Sequence, residues 1–425
     1  MSSPLTLDRR RLLQAGAALA LPLLFTRCKT PTGNGPLLRR DPSGILDLPE
    51  GFSFLILQRS GATMTDGLRV PDAPDGMGCF QGADANTLVL MRNHELTTSG
   101  GPGSPSPSEA YDPASVGGVT RLVLDATTLN VLSSNLVLTG TRRNCAGGVS
   151  PWGWLTCEED VSDNHGFVFL CDPSAASVQP PVRIPAWGRM NHEAAVVDPL
   201  THAAYLTEDR DDGCLYRFVP DSPEQVPGPS TTGKLQALRV VGAPGRDMDR
   251  DVSPGARLAV EWVDLSQVDS PNDDLRTQAH DLGAARFRRG EGAFFDQGAV
   301  LFTATTGGPA GGGQVWRYPP QNGELELLAQ AQDRHLLDTP DNLCVAPWGD
   351  VVLAEDSYDP RWAGNSLRVL TPQGRLLDLA HNALSSSEFA GVCFSPSGDT
   401  LFCNLQADGL TLAIRGPFQQ LDTLR

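Results

Sequence analysis

Carboxylates recur at the ends of apolar runs along this 425-residue chain. "TLVLMRNHE" stops at Glu95, "WLTCEED" at Glu158 and Glu159, "YLTED" at Glu208 and Asp209, and "VVLAED" at Glu355 and Asp356. Further acids stand in "NHE" at 191–193, "RGEG" at 289–292 and "PDN" at 340–342. One acidic turn is ordinary, because Asp and Gly suit a reversing chain. Repetition gives these positions their meaning. Two unit charges about 4 Å apart repel by roughly 4 kcal/mol at an effective dielectric of 20. A converging set therefore demands cations or raised pKa values. Oxygen-rich sets select hard cations such as Ca²⁺.

Cys145, in "RRNCAGGVSPWGWLTCEE", adds a different donor. It follows Arg142 and Arg143, whose charges favour a thiolate, and it precedes the acids of the same hairpin. A thiolate among carboxylates suits a transition metal better than calcium. Taken alone, the same cysteine also reads as a buried or disulfide-bonded residue. His94 and His192 each precede a Glu and read as hydrogen-bonded strand-end residues, Trp152 and Trp154 as packing residues, and Asp211 and Asp212 as solvated turn residues.

The elements that must position these groups are short strands. Six hairpins repeat one phrase, an apolar strand answered by a second across a turn: 87–95 with 117–125, 154–160 with 166–172, 202–209 with 214–218, 299–308 with 314–318, 350–356 with 366–370, and 399–406 with 410–414. Strands at regular spacing without helix-period segments between them point to an all-β array. Intervals near 40–50 residues match propeller blades, and ring closure protects every sheet edge. The predicted fold is all-β, a six-bladed β-propeller with loop insertions over 45–425. "GFSFLILQRSG" (51–61) would complete the last blade, and 219–280 reads as a strand-bearing insertion. Two β-sandwiches are the alternative. In a propeller the inner strands run along one axis, which brings the acids to a shared mouth.

The phrases resemble the PhoX-type alkaline phosphatase family. The resemblance rests on "DGMGCF", "NHE", "NCAGGVSPWGWLTCEE" (144–159), "GRMNHEAAVVDP" (188–199), "YLTEDRDDGCLYRF" (205–218), "FRRGEG" (287–292), "PDNL" (340–343) and "GVCFSPSGDTLFCNLQ" (391–406). It implies a twin-arginine-exported, six-bladed propeller that hydrolyses phosphate monoesters with Fe³⁺ and Ca²⁺. It implies Cys145, Glu159, Glu193, Glu208, Glu291, Asp341 and Asp356 as metal ligands and Arg289 as a catalytic phosphate clamp. A calcium-dependent propeller lactonase or esterase, which has no need of Cys145 or Arg289, and a non-catalytic binding propeller are the alternatives.

The bulk properties bound the partners. The formal charge is −17 although residues 1–29 are net positive, and so acidic a body repels nucleic acid, which is bound through Lys and Arg. The expected partners are small-molecule phosphate esters, with no nucleic acid and no membrane span after export, and the chain is expected to be monomeric. "LTLDRRRLLQAGAALALPLLF" reads as an export signal over 1–29, with Asp8 to Leu13 resembling the twin-arginine address. A Gly/Pro linker follows over 30–44. The expected location is periplasmic or extracellular. Eight cysteines lie beyond the signal; in an oxidising compartment they have the option of pairing, although several sit inside apolar runs.

Overall fold

The computed structural model describes residues 35–101, 109–222, 228–357 and 365–424; the export-signal expectation for 1–29 falls outside them. Strands dominate, and the apolar runs that read as hairpins form the second and third strands of six blades. Blade I contains Pro74–Gln81, Thr87–His94, Gly117–Asp125 and Val131–Thr141. Blade II contains Asn144–Ser150, Gly153–Glu158, Val168–Cys171 and Val182–Arg183. Blade III contains His192–Val197, Ala204–Glu208, Tyr216–Pro220 and Gly233–Val240. Blade IV contains Gly290–Asp296, Ala299–Ala304, Gln314–Tyr318 and Glu324–Gln330. Blade V contains Pro340–Val345, Val351–Glu355, Ser366–Leu370 and Leu376–Asn382. Blade VI contains Phe389–Phe394, Thr400–Leu405 and Leu410–Arg415.

Second strands such as "AVLFTA" and "VVLAE" are buried along their whole length. Each is covered on both faces by neighbouring blades, so it reads as a continuous apolar run rather than an alternating one. The six inner strands pack against one another in order, and blade VI returns to blade I, closing the ring. Closure is completed from the amino end: Ser53–Arg59 pairs with Leu410–Arg415 as the fourth strand of blade VI, as expected from 51–61. Leu46–Pro49 extends blade V. Blades III and IV are joined at their outer edges by Arg257–Asp264, which pairs with Gly233–Val240 on one side and Glu324–Gln330 on the other. The segment read as an insertion therefore supplies the fourth strand of blade III, this connecting strand and the short helix Leu275–Asp281.

At the seam between blades I and VI, Arg92 is fully buried. It donates to Thr120, Thr411 and Gln58. Hydrogen bonds of a charged donor contribute roughly 1.5–3 kcal/mol each, so this side chain fastens the closing joint. The eight cysteines beyond the signal are free thiols, all but Cys79 buried; those within apolar strands, such as Cys171 and Cys403, act as small apolar core residues.

Candidate active site

One piece of backbone grammar repeats in every blade and builds the mouth. Each inner strand carries a register shift just after its first residues, at Pro74/Met77, Asn144/Gly147, His192/Ala195, Gly290/Ala293, Pro340/Asn342 and Ala390/Cys393. A bulge re-aims the side chain it carries. The bulge positions are Asp75, Cys145, Glu193, Glu291, Asp341 and Ala390, five of them metal-binding types.

The residue that follows each second strand donates its backbone N–H to the carbonyl two residues upstream of the bulge position. The six bonds are Glu95 to Ala73, Glu159 to Arg143, Asp209 to Asn191, Thr305 to Arg289, Asp356 to Thr339, and Gln406 to Glu388. Each blade thus presents three equivalent positions at one mouth: the bulge position, the strand-end position (Glu95, Glu159, Asp209, Thr305, Asp356, Gln406) and the entry position (Ala73, Arg143, Asn191, Arg289, Thr339, Glu388).

Neighbouring blades fix the bulge residues from outside. Asn93 Nδ2 donates to the Cys145 carbonyl at 2.7 Å, Thr207 Oγ1 to the Glu291 carbonyl at 2.5 Å, Thr303 Oγ1 to the Asp341 carbonyl at 3.1 Å, and Asn404 Nδ2 to the Asp75 carbonyl at 2.6 Å. In each case one blade's second strand holds the next blade's bulge. The approach is close enough that glycine is required: a Cβ on Gly76 would lie 2.5 Å from the Cys145 carbonyl oxygen, and one on Gly391 2.3 Å from that of Asp75. The site therefore exists only when the ring is closed.

Donor atoms meet in four overlapping triads, each with its atoms within 4.8 Å of one another: Asp75, Glu95 and Cys145; Cys145, Glu159 and Glu193; Glu193, Glu291 and Asp341; and Asp341, Asp356 and Glu388. Cys145 Sγ lies 3.8 Å from Asp75 Oδ2 and 3.6 Å from Glu159 Oε2. Burial and then neighbouring carboxylates push Asp75, Glu193 and Glu388 well above the usual carboxylate range, and Glu291 likewise. Glu159 is raised to about 8 by burial, against the pull of Arg143. Cys145 is also raised, by burial first and then by the acids around it. Glu193 Oε2 and Asp341 Oδ1 are buried with no hydrogen-bond partner. Orphaned acceptors of this kind cost free energy, and a bound cation would relieve them. The donor set fits metal ions: carboxylates throughout, with one thiol shared by two triads.

Two arginines close over the acids. Arg289 Nε and Nη2 reach both oxygens of Asp209 at 2.8 and 2.9 Å, and Nη2 also reaches Glu291 Oε1 at 2.7 Å. Arg143 bonds Glu95 through Nε at 2.8 Å and Glu159 Oε2 through Nη2 at 2.5 Å. Amides support the rest: Gln406 Nε2 bridges Asp75 and Glu95 at 2.8 Å each, and Asn191 Nδ2 donates to Glu159 Oε1 at 2.8 Å.

Of the residues named from sequence, Cys145, Glu159, Glu193, Glu291, Asp341 and Asp356 come together in the triads, with Arg289 above them. Glu208 does not. Successive strand residues face opposite ways, and Glu208 points into blade III, where Oε2 accepts from Tyr216 at 2.7 Å and Arg276 stands 3.6 Å from Oε1. Burial holds its carboxyl at about 7. Its neighbour Asp209 faces the axis. Glu158 and Glu355 are likewise turned into their own blades, toward His165 and Arg368. His94 bonds Asp72 and Thr120, and His192 bonds Gly188. Trp154 packs in the core between blades I and II and donates to Asn93. Sequence reasoning did not single out Asp75 or Glu388. The Pro-Asp pair of 74–75 repeats that of 340–341 and was the available signal; Glu388 had none beyond its place two residues before Ala390.

The chain matches the family profile described as Alkaline phosphatase PhoX over residues 32–135 and 126–409. No curated protein matches it. Among solved structures it is similar to Pseudomonas fluorescens PhoX in complex with vanadate, a transition state analogue, with a TM-score of 0.70 at 18% identity, covering 91% of this chain and 98% of that one. A Xanthomonas campestris gluconolactonase aligns with a TM-score of 0.46 at 13% identity, covering 92% and 98%.

Proposed function

The chain belongs to the PhoX alkaline phosphatase family and is a phosphomonoesterase, and we propose that it works at a cluster of iron and calcium ions held by the triads at its mouth. The observation that carries this reading is the unbroken run of four triads around the axis, with buried carboxylate oxygens left unpartnered. The two triads that share Cys145 suit iron, because a thiolate favours a transition metal. The two all-oxygen triads suit calcium. When bound, such cations supply Lewis acidity toward the phosphoryl oxygens and the attacking oxygen.

The chain's own residues do the rest. Without cations the acids would repel a phosphate dianion. With them, Arg289 presents a planar fork at the mouth that matches phosphate geometry. Charge on the phosphoryl oxygens is met there by a guanidinium already oriented before reaction. Asn191 and Gln406 hold Glu159, Asp75 and Glu95 in place, so little rearrangement is needed on loading. Family membership favours this reading over the lactonase and binding-module alternatives. Asp8 to Leu13 supports export by the twin-arginine route to the periplasm or beyond. The described residues contain no helix long and apolar enough to cross a membrane.

The test is p-nitrophenyl phosphate hydrolysis by protein exported through its own signal, with elemental analysis and with calcium chelation. Iron, calcium and chelator-sensitive turnover are expected. Turnover unaffected by removing both metals would defeat the proposal.

A further inference from the structure

Arg289 is not alone in its position. Arg143 occupies the same entry position in blade II that Arg289 occupies in blade IV, two residues before Cys145 as Arg289 is two residues before Glu291. We propose that Arg143 is a second substrate-contacting guanidinium, so that a phosphate monoester is gripped by arginines from blades II and IV on either side of blade III. The inference rests on the phosphatase reading and adds a binding residue to it.

Two observations carry it, beside a shared backbone. Arg143 and Arg289 adopt left-handed backbone, with φ of 44° and 55°, as do the entry positions Ala73 and Thr339 at 46° each, so the conformation belongs to the entry position itself. Here the determinants match: the Arg143 N–H donates to the Leu96 carbonyl and that of Arg289 to the Arg210 carbonyl, while Glu159 and Thr305 donate to the two arginine carbonyls.

Both guanidiniums also lie between the acids and solvent. Their side chains are 39% and 27% exposed, whereas Glu159 and Glu291 beneath them are 6% and 4% exposed. Finally, each forks across two carboxylates, of which the triads claim Glu95 and Glu159 for Arg143, and Glu291, beside Asp209, for Arg289. A carboxylate shared with a cation has less charge to offer an arginine, and the only anion arriving from the mouth is the substrate. A residue needed merely to neutralise the acids would be redundant once cations bind. A clamp would matter most then.

The test uses the metal-loaded full-length protein and four chains: wild type, Arg143→Gln, Arg143→Lys and Arg289→Gln. Iron and calcium are counted by elemental analysis, and binding of inorganic phosphate is measured by calorimetry beside p-nitrophenyl phosphate kinetics. Arg143→Gln is expected to keep the wild-type metal content, to bind phosphate at least tenfold more weakly, and to lose about 100-fold in kcat/KM, with Arg143→Lys recovering part of the phosphate binding. Wild-type phosphate affinity in Arg143→Gln, with Arg289→Gln weakened, would overturn the clamp and leave the phosphatase reading standing. A fall in metal content that accounts for the lost binding would also overturn it, making Arg143 a support for the carboxylates. Wild-type protein that neither binds phosphate nor hydrolyses the ester would defeat the underlying reading instead.

Discussion

The mouth has two arcs built on one backbone plan. In the arc of blades I and II, Asp75, Glu95 and Glu159 are hydrogen-bonded by Gln406, Asn191 and Arg143, and the Cys145 thiol lies against Asp75 and Glu159. In the arc of blades III to V, Glu193 Oε2 and Asp341 Oδ1 have no partner, and the donors are all oxygen. Same bulge, same entry geometry, different side chains: the first arc is satisfied in part by protein and carries the soft donor that selects a metal. The second is met by Arg289 at Glu291 and Asp209 but leaves Glu193 Oε2 and Asp341 Oδ1 for cations to satisfy. Selectivity and cation demand are thus divided between neighbouring blades.

Substitutions at the junction break this contrast most severely. Glu193 belongs to a triad of each arc, so Glu193→Gln is expected to cost both kinds of ion. Loss of Lewis acidity worth several kcal/mol corresponds to about 10⁴-fold in kcat, read from ester hydrolysis alongside metal content. Cys145→Ser removes the soft donor alone. It is expected to lose iron, keep calcium and fall about 10³-fold in kcat; retention of iron would show that the arcs do not differ in selectivity.

The metal-stripped protein sharpens the comparison through pH. Glu159 is held at about 8 when folded, against an ordinary value of 4.5. The folded state therefore binds more protons than the unfolded state between those values. The stability this group contributes is full below pH 4.5 and is lost as pH rises toward 8. The other buried acids of the mouth act in the same direction. Thermal melting in chelator should fall across that window, and added calcium should flatten the slope.

The smallest effect is expected outside both arcs. Glu208→Gln disturbs the contacts with Tyr216 and Arg276 and should cost about 1–3 kcal/mol of stability, measured by denaturant unfolding. Metal content should be unchanged. Loss of a cation in this variant would return Glu208 to the site in place of Asp209.

That last pair shows where the sequence stopped being readable. The six hairpins, the closing strand and the convergence of acids were all legible, because apolar strand length, turn chemistry and repeat spacing are local signals. Which of two adjacent acids faces the axis was not, since one residue of register turns every side chain to the other face. The bulges set that register, and they arise from packing between inner strands that are far apart in sequence. Asp75 was half visible, its Pro-Asp pair echoing 340–341. Glu388 sits in "SSSEFAG" with no local mark; only the ring of entry positions gives it a role. The equivalence of Arg143 and Arg289 was hidden for the same reason, since an Arg-Asn-Cys phrase and an Arg-Gly-Glu phrase share nothing but their place in a blade.

The most direct measurement is anomalous X-ray scattering at the iron edge from crystals of the exported protein. The account predicts an iron peak within bonding distance of Cys145 Sγ, shared with acids of the first arc, and no iron among Asp341, Asp356 and Glu388. A mouth empty of metal, or iron bound away from Cys145, would contradict it.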